Sequence, residues 1–215
     1  MEIDHLFIFS SNNGKEAEKL VEFGLTEGSS RIHLGQGTTN RKFYFENFFV
    51  EILWVINESE MQSELTAKTK LWERSQFESN GNSRFGLCLV NSKSTDQLFE
   101  ESEIYEPNYF PKGMSIDIIT NEQNPNFPWT FRLPYRGRKK ENNEPMEHRN
   151  GIKNLTKAEF EIQTDYLKTE FSGFFENIDN IKFTKSNSSS LTLEFDNNTQ
   201  GKTKEFSELN LKIKY

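Results

Sequence analysis

From Ile3 to Val55 the hydrophobic period switches from strand to helix and back with almost no linker between segments. Ile3-Asp4-His5-Leu6-Phe7-Ile8-Phe9 is a compact apolar run carrying one histidine and bounded by Ser10, Ser11 and Asn12, which predicts a buried strand. From Gly14 to Phe23 the period is helical. Ala17, Leu20 and Val21 fall at i, i+3 and i+4, Lys15, Glu16, Glu18, Lys19 and Glu22 take the other side, and Gly24 is placed to end the helix. Ser30 to Leu34 alternates weakly, Gly35-Gln36-Gly37-Thr38-Thr39 breaks the chain, and Asn40 to Phe45 alternates Arg41, Phe43 and Phe45 against Asn40, Lys42 and Tyr44. Phe48 to Val55 is an apolar strand interrupted by the single carboxylate Glu51, and a lone buried acid needs a reason. The order is βαβββ.

A similar order returns downstream. Arg84 to Val90 predicts a strand, Ser94 to Glu101 a short helix with Ser94 as N-cap, Glu103 to Tyr109 an extended segment, and Met114 to Thr120 and Pro128 to Leu133 two further strands. Between the two runs, Thr66 to Phe77 holds Leu71 and Trp72 among charged residues and predicts a short helix or a flap over the sheet. Pro134 to Asn150 is polar with almost no large apolar residue. Leu155 to Ile162 is again strand-like, Thr164 is placed to cap a helix carrying Tyr166, Leu167, Phe171 and Phe174, and Asn180 to Thr184 with Ser190 to Phe195 predict a hairpin. Glu205 to Ile213 fits no single period. The expected organisation is α+β, with repeated βαβββ modules forming curved, mostly antiparallel half-barrel sheets. Residues 1–135 hold two modules, 136–152 a polar linker and 153–215 a C-terminal β-α-β-β unit, separate or part of the same fold. Spacing leaves open which later unit pairs with the first.

Charge and composition narrow the function classes. Twenty-six Lys and Arg against 33 Asp and Glu give a net charge of −7, which argues against a broad nucleic-acid surface. The basic run Arg136-Gly137-Arg138-Lys139-Lys140 is followed at once by Glu141 and Glu144 and reads as a solvated loop. Cys88 is the sole cysteine, so no intrachain disulfide and no CxxC zinc pattern exists, and it reads as a small apolar residue in its strand. No apolar run of about 18 residues predicts a membrane span, and the expected location is cytoplasmic. Walker A, dinucleotide and G-x-S-x-G patterns are missing, which removes nucleotide-dependent chemistry and triad hydrolysis.

His5, the segment Gly35 to Arg41 and Glu51-Ile52-Leu53-Trp54-Val55, followed by Leu71-Trp72-Glu73-Arg74 and Phe85-Gly86-Leu87-Cys88-Leu89, resemble the vicinal oxygen chelate superfamily of glyoxalase I, bleomycin-resistance proteins and extradiol dioxygenases. More narrowly they resemble its glyoxalase-like domain branch. The resemblance implies a half-open barrel in which His5 and Glu51 are metal ligands, Glu51 also moving a proton. Imidazole and carboxylate suit a divalent Mn, Fe, Co, Ni or Zn. The implied ligand set is incomplete: the matching first-strand positions of the later units are Phe85 and the Lys157-Ala158 neighbourhood, with Glu194 as a closing carboxylate. The competing reading is that His5 hydrogen-bonds within the sheet and Glu51 is buried in a pair with Arg41.

Gln36, Asn40 and Arg41 either complete a tight turn or line the cavity mouth as ligand-binding residues, with Arg41 as anchor for an anion and Trp54 as part of the wall. Trp72 and Arg74 are candidates for the same wall. His33 is placed to face the cavity, and His148 reads as a surface residue of the linker. The expected function is a small-molecule lyase, isomerase or dioxygenase-type enzyme acting on a small polar or anionic molecule. The rival is a non-catalytic, drug-sequestering binding protein without metal, and a third class is a partner-binding domain. A homodimer is compatible with modules that pair across chains.

Overall fold

A computed structural model describes residues 1–138, 143–164 and 167–215; Lys139 and Lys140 of the basic run, and Tyr166, lie outside the described residues. The fold is α+β. Strands β1 (Ile3–Phe9), β2 (Ile32–His33), β3 (Thr38–Tyr44), β4 (Phe49–Val55), β5 (Phe85–Asn91), β6 (Glu103–Tyr105), β7 (Ile116–Ile119) and β8 (Trp129–Arg136) form a curled eight-stranded sheet in the order β2-β3-β4-β1-β5-β8-β7-β6. Outward from the central antiparallel β1/β5 pair, each side runs parallel first (β4 on β1, β8 on β5) and antiparallel after that. Phe85 to Arg136 therefore supplies the strands that extend the first unit's sheet, and the two runs meet within one chain.

Helix α1 (Ala17–Phe23) ends at Gly24, whose φ of 109° is a left-handed conformation that glycine adopts without penalty. Ala17 and Leu20 share a buried cluster with Leu6, Ile8, Phe43, Val50, Ile52, Phe85 and Leu87, and this cluster defines the outer face of the sheet. The second sheet covers the same face. Strands β9 (Leu155–Gln163), β10 (Ile181–Ser186), β11 (Ser190–Phe195), β12 (Thr203–Phe206) and β13 (Leu211–Lys214) form it in the order β10-β9-β11-β13-β12. Phe195 packs on Phe45 with ring centres 4.7 Å apart, and Phe160 on Phe85 at 6.2 Å. Arg84 ties the sheets directly: its Nε donates to the Phe9 carbonyl at 2.8 Å and its Nη1 to the Glu208 carbonyl at 2.8 Å.

The inner face is closed at one end by four short helices, α2 (Glu58–Met61), α3 (Glu64–Ala67), α4 (Leu71–Ser75) and α5 (Phe77–Asn80). Met61, Leu71 and Trp72 from this flap pack on Phe7, Phe9, Leu53 and Trp129. Arg74 pins it, donating to the carbonyls of Phe127 at 2.7 Å and Thr120 at 2.6 Å, with no carboxylate partner among the described residues. Burial pulls its pKa down to about 10.

Several expected elements differ. Helix α6 spans Lys93–Asp96 and is capped by Ser92, whose side chain pairs with Thr95 in a reciprocal box, in place of Ser94. Helix α7 (Glu170–Phe174) is capped by Thr169, not Thr164, through the same kind of box with Ser172. Strands β10 and β11 are not a hairpin: each pairs with β9, β10 in parallel, because β9 buries Ala158, Phe160 and Ile162 and takes the centre. Among the described residues no helix is long and apolar enough to cross a membrane.

Candidate functional site

Neighbours across a sheet share a face, so the strand registers place the site residues without ambiguity. Lys42, Glu51, Phe7, Gly86 and Trp129 form one inward-facing row across β3, β4, β1, β5 and β8. The adjacent row is Tyr44, Phe49, His5, Cys88 and Phe131. His33, paired with Thr38, faces inward from the far hairpin. His5 and His33 thus flank Glu51 on the inner face, with side-chain exposures of 13, 21 and 9% for His5, His33 and Glu51.

Glu51 is flanked by both imidazoles. His5 Nε2 stands 4.0 Å from one carboxylate oxygen and His33 Nε2 3.8 Å from the other. The ring of His5 stacks on Phe49 at 4.4 Å with planes 13° apart, and the edge of Phe131 meets it at 5.3 Å. Its Nδ1 lies 2.7 Å from the Asp4 carboxylate, an acceptor, so Nδ1 carries a hydrogen and Nε2 in the neutral ring presents a lone pair. His33 is oriented in the same way. Its Nδ1 lies 2.8 Å from the Thr38 hydroxyl, whose own hydrogen goes to Gln36 Oε1 at 3.1 Å, so the imidazole is the donor there too. Burial lowers the pKa of His33, opposed by the charge of Glu51, which favours the neutral ring. Asn40 fills the space between: its amide donates to Glu51 and lies 3.3 Å from His33 Nε2, while its carbonyl is held by the Arg31 N–H at 2.8 Å.

Other expected site residues fall elsewhere. Arg41 shares the outer face with Phe43 and Phe45; its Nε donates to Glu27 at 2.7 Å and its Nη1 to Glu18 at 2.6 Å. The alternation that groups Arg41 with the two phenylalanines was legible, but those rings face the core behind the sheet, so Arg41 neither anchors a ligand at the mouth nor pairs with Glu51. Trp54 also points outward, its ring lying against Gly14. The inward cation of that hairpin is Lys42, whose ammonium lies 5.5 Å over the Tyr44 ring and whose charge helps lower the pKa of Glu144. Gln36 reaches the site through Thr38. His148 is buried, not a surface residue: Phe45 packs on it at 4.5 Å and its Nδ1 accepts from the Thr26 N–H at 3.0 Å.

The second half offers little to coordinate an ion. Phe85 faces outward, and the inward positions are Gly86, lying under the Phe7 ring, fully buried Cys88, Trp129 and Phe131. Burial pushes the Cys88 thiol up, keeping it protonated. The inward-side grouping of Asp4, His5 and Cys88 brings three candidate ligand atoms within 4.8 Å of one another, but Asp4 serves there as the orienting partner of His5. Glu194 belongs to the other sheet, where it takes a bond from Thr156.

No protein-family model matches the chain, and no curated protein matches it. Among solved structures it is similar to a hypothetical protein from Staphylococcus aureus, at 10% identity, a TM-score of 0.58, and coverage of 99% of this chain and 98% of that one. A hypothetical protein from Bacillus halodurans C-125 aligns at 13% identity over 66% of this chain and 98% of its own, with a TM-score of 0.42. The first likeness takes in both sheets and speaks for the fold alone.

Proposed function

We propose that the chain is a glyoxalase-like protein of the vicinal oxygen chelate type that binds a small anionic, oxygen-bearing molecule beside a divalent metal held by His5 and Glu51. The single observation that carries the reading is the convergence of acceptors. His5 Nε2 and Glu51 face each other at 4.0 Å, a distance too long for a direct hydrogen bond and favourable where a cation, or a proton on the ring, joins them. The donor set suits Mn, Fe, Co, Ni or Zn, and Asp4 behind His5 is the carboxylate–histidine support that metal-binding imidazoles use. Support for the architecture comes from the sheet order, in which both halves of the large sheet run βαβββ and mirror each other about β1/β5.

A divalent metal held by His5 and Glu51 would supply Lewis acidity toward a carbonyl or enediolate oxygen of the ligand. Glu51 takes up or returns the proton, because one of its oxygens is fixed by Asn40 while the other faces His5. Lys42, one position across from Glu51 on the inward row, attracts the anionic end of the ligand. Phe131 and Phe49 hold His5 in plane. Gly86, Cys88, Trp129 and Phe131 favour a second reading, a binding protein without metal, because an apolar wall supplies shape and no chemistry. A reducing, cytoplasmic setting suits the buried thiol.

Elemental analysis of protein purified without chelator, before and after His5→Ala, separates the two. One transition metal per chain, lost in the variant, supports the metal reading. Metal-free protein that also fails to take up added Mn2+ or Zn2+ overturns it in favour of the binder. Oxalate affinity of the metal-loaded protein is expected to fall several-fold in Lys42→Ala, and an unchanged value removes Lys42 from the site.

A further inference from the structure

We propose that His33 is the third donor of the metal site, making it a two-histidine, one-carboxylate face built from His5, His33 and Glu51 of the first half alone; the proposal rests on the metal reading above. On the second-half strands beside His5, Gly86 lies under Phe7, Cys88 is a fully buried thiol, and Trp129 and Phe131 present aromatic rings. His33 comes from an unexpected place, the two-residue edge strand β2, and is brought over the sheet by the turn at Gly35 to Gly37.

Three features of the geometry point the same way. The imidazoles address different oxygens of one carboxylate, at 3.8 and 4.0 Å, so they flank Glu51. Both Nδ1 atoms are committed elsewhere, to Asp4 at 2.7 Å and Thr38 at 2.8 Å, so both Nε2 lone pairs are directed at the point of convergence. Four protein groups fix the two rings and the amide between them: Asp4, Thr38 with Gln36 behind it, and the Arg31 N–H that orients Asn40.

Asn40 links the carboxylate to the second imidazole. One amide hydrogen serves Glu51 and the other reaches toward His33 Nε2 at 3.3 Å, so a neutral donor stands where a cation would bridge. Donors around a four-coordinate ion with bonds of about 2.0–2.1 Å lie roughly 3.4 Å apart. The two imidazoles sit on different oxygens of Glu51, so a single ion would need both rings, and with them the two-residue edge strand that carries His33, to draw in toward the carboxylate. With an ion bound, His33 would give up its long contact to Asn40 while Asn40 could keep its bond to Glu51. Three protein donors around a four-coordinate ion would leave one position for an oxygen of a ligand, and Lys42 stands across from Glu51 on the same face.

The test is Co2+ binding to the chelator-stripped, full-length protein, followed by calorimetry, visible absorption and proton NMR of the paramagnetic complex. Wild type is expected to bind one Co2+ and to show two strongly shifted exchangeable imidazole N–H signals, from His5 and His33. His33→Gln should weaken binding by more than about 100-fold and leave one such signal, while Thr38→Val, which removes the orienting partner alone, should weaken it about 10- to 100-fold. Circular dichroism and thermal melting confirm that each variant is folded; where His33→Gln is not, the signal count in wild type and the Thr38→Val affinity decide. If His33→Gln binds as tightly as wild type while His5→Gln does not, or if wild type shows one shifted N–H, His33 is not a donor and the metal reading stands without it. If folded wild type binds no Co2+, the proposal and the metal reading fall together.

Discussion

Arg41→Ala separates the two faces of strand β3 more cleanly than any substitution inside the cluster. Arg41 makes two bonds to Glu27, which is partly buried, and one to Glu18, which is mostly exposed. Charge-assisted bonds in a half-buried setting contribute about 1.5–3 kcal/mol, and the exposed Glu18 pair adds about 0.2–1 kcal/mol that fades with salt. The variant is therefore expected to lose about 2–3 kcal/mol. For a chain of this length each kcal/mol lowers Tm by about 2–4 °C, which gives a drop of about 4–12 °C by circular dichroism. A double-mutant cycle with Glu27→Gln should recover most of that loss as coupling between the two side chains. Co2+ and oxalate affinities of the folded protein should be unchanged, because the guanidinium stands behind the sheet. A variant that melts like wild type but binds oxalate ten times more weakly would refute the placement of Arg41 on the outer face.

Two further substitutions test the packing around the site. Burial lowers the pKa of His148, so within the window below the ordinary histidine value of about 6.5 the unfolded chain binds more protons and stability falls as pH falls. Urea unfolding at pH 7 and pH 5 should show a smaller loss for His148→Gln than for wild type, and equal losses would show that His148 does not titrate in this way. Gly86→Ala places a methyl group into the Phe7 ring and is expected to cost about 1–3 kcal/mol in urea unfolding; a neutral result would mean that the ring has room to move.

The strands of the large sheet were legible because their apolar runs are long and bounded by Ser, Asn and Gly, and α1 because Ala17, Leu20 and Gly24 fix both its period and its end. His5 and Glu51 stood out as polar residues inside apolar strands. Alternation alone grouped Arg41 with Phe43 and Phe45, but a strand covered on both sides has apolar residues on both faces, and the sequence does not say which face is the mouth. The same ambiguity misplaced Trp54. Lys42 and Asn40 sit on the opposite phase of that alternation, so the signal for Lys42 was present and was read for its neighbour. His33 was visible as a polar residue facing the cavity; its role beside Glu51 depends on the turn that folds β2 over β3, a long-range placement that local period does not encode. Caps were missed by two to five residues because Ser92 and Ser94, and Thr164 and Thr169, are chemically equivalent candidates whose choice is made by tertiary contacts.

The position of β1 at the centre of the large sheet also sets a schedule for folding. His5 pairs with Phe49 on one side and with Cys88 on the other, so β1 gains its second neighbour only after roughly 80 more residues are made, about 4–16 s at ordinary synthesis rates. Through that interval Leu6-Phe7-Ile8-Phe9 has an unpaired edge and no covering layer, the condition in which nascent chains recruit holding chaperones or aggregate. Its outer face waits longer still, since Phe160 and Phe195, on the second sheet, are made last. The strand that bears His5 is thus made before both its neighbours and is among the latest secured, and slower translation of the segment before Phe85 is expected to lower the yield of native protein more than the same delay placed after Lys214.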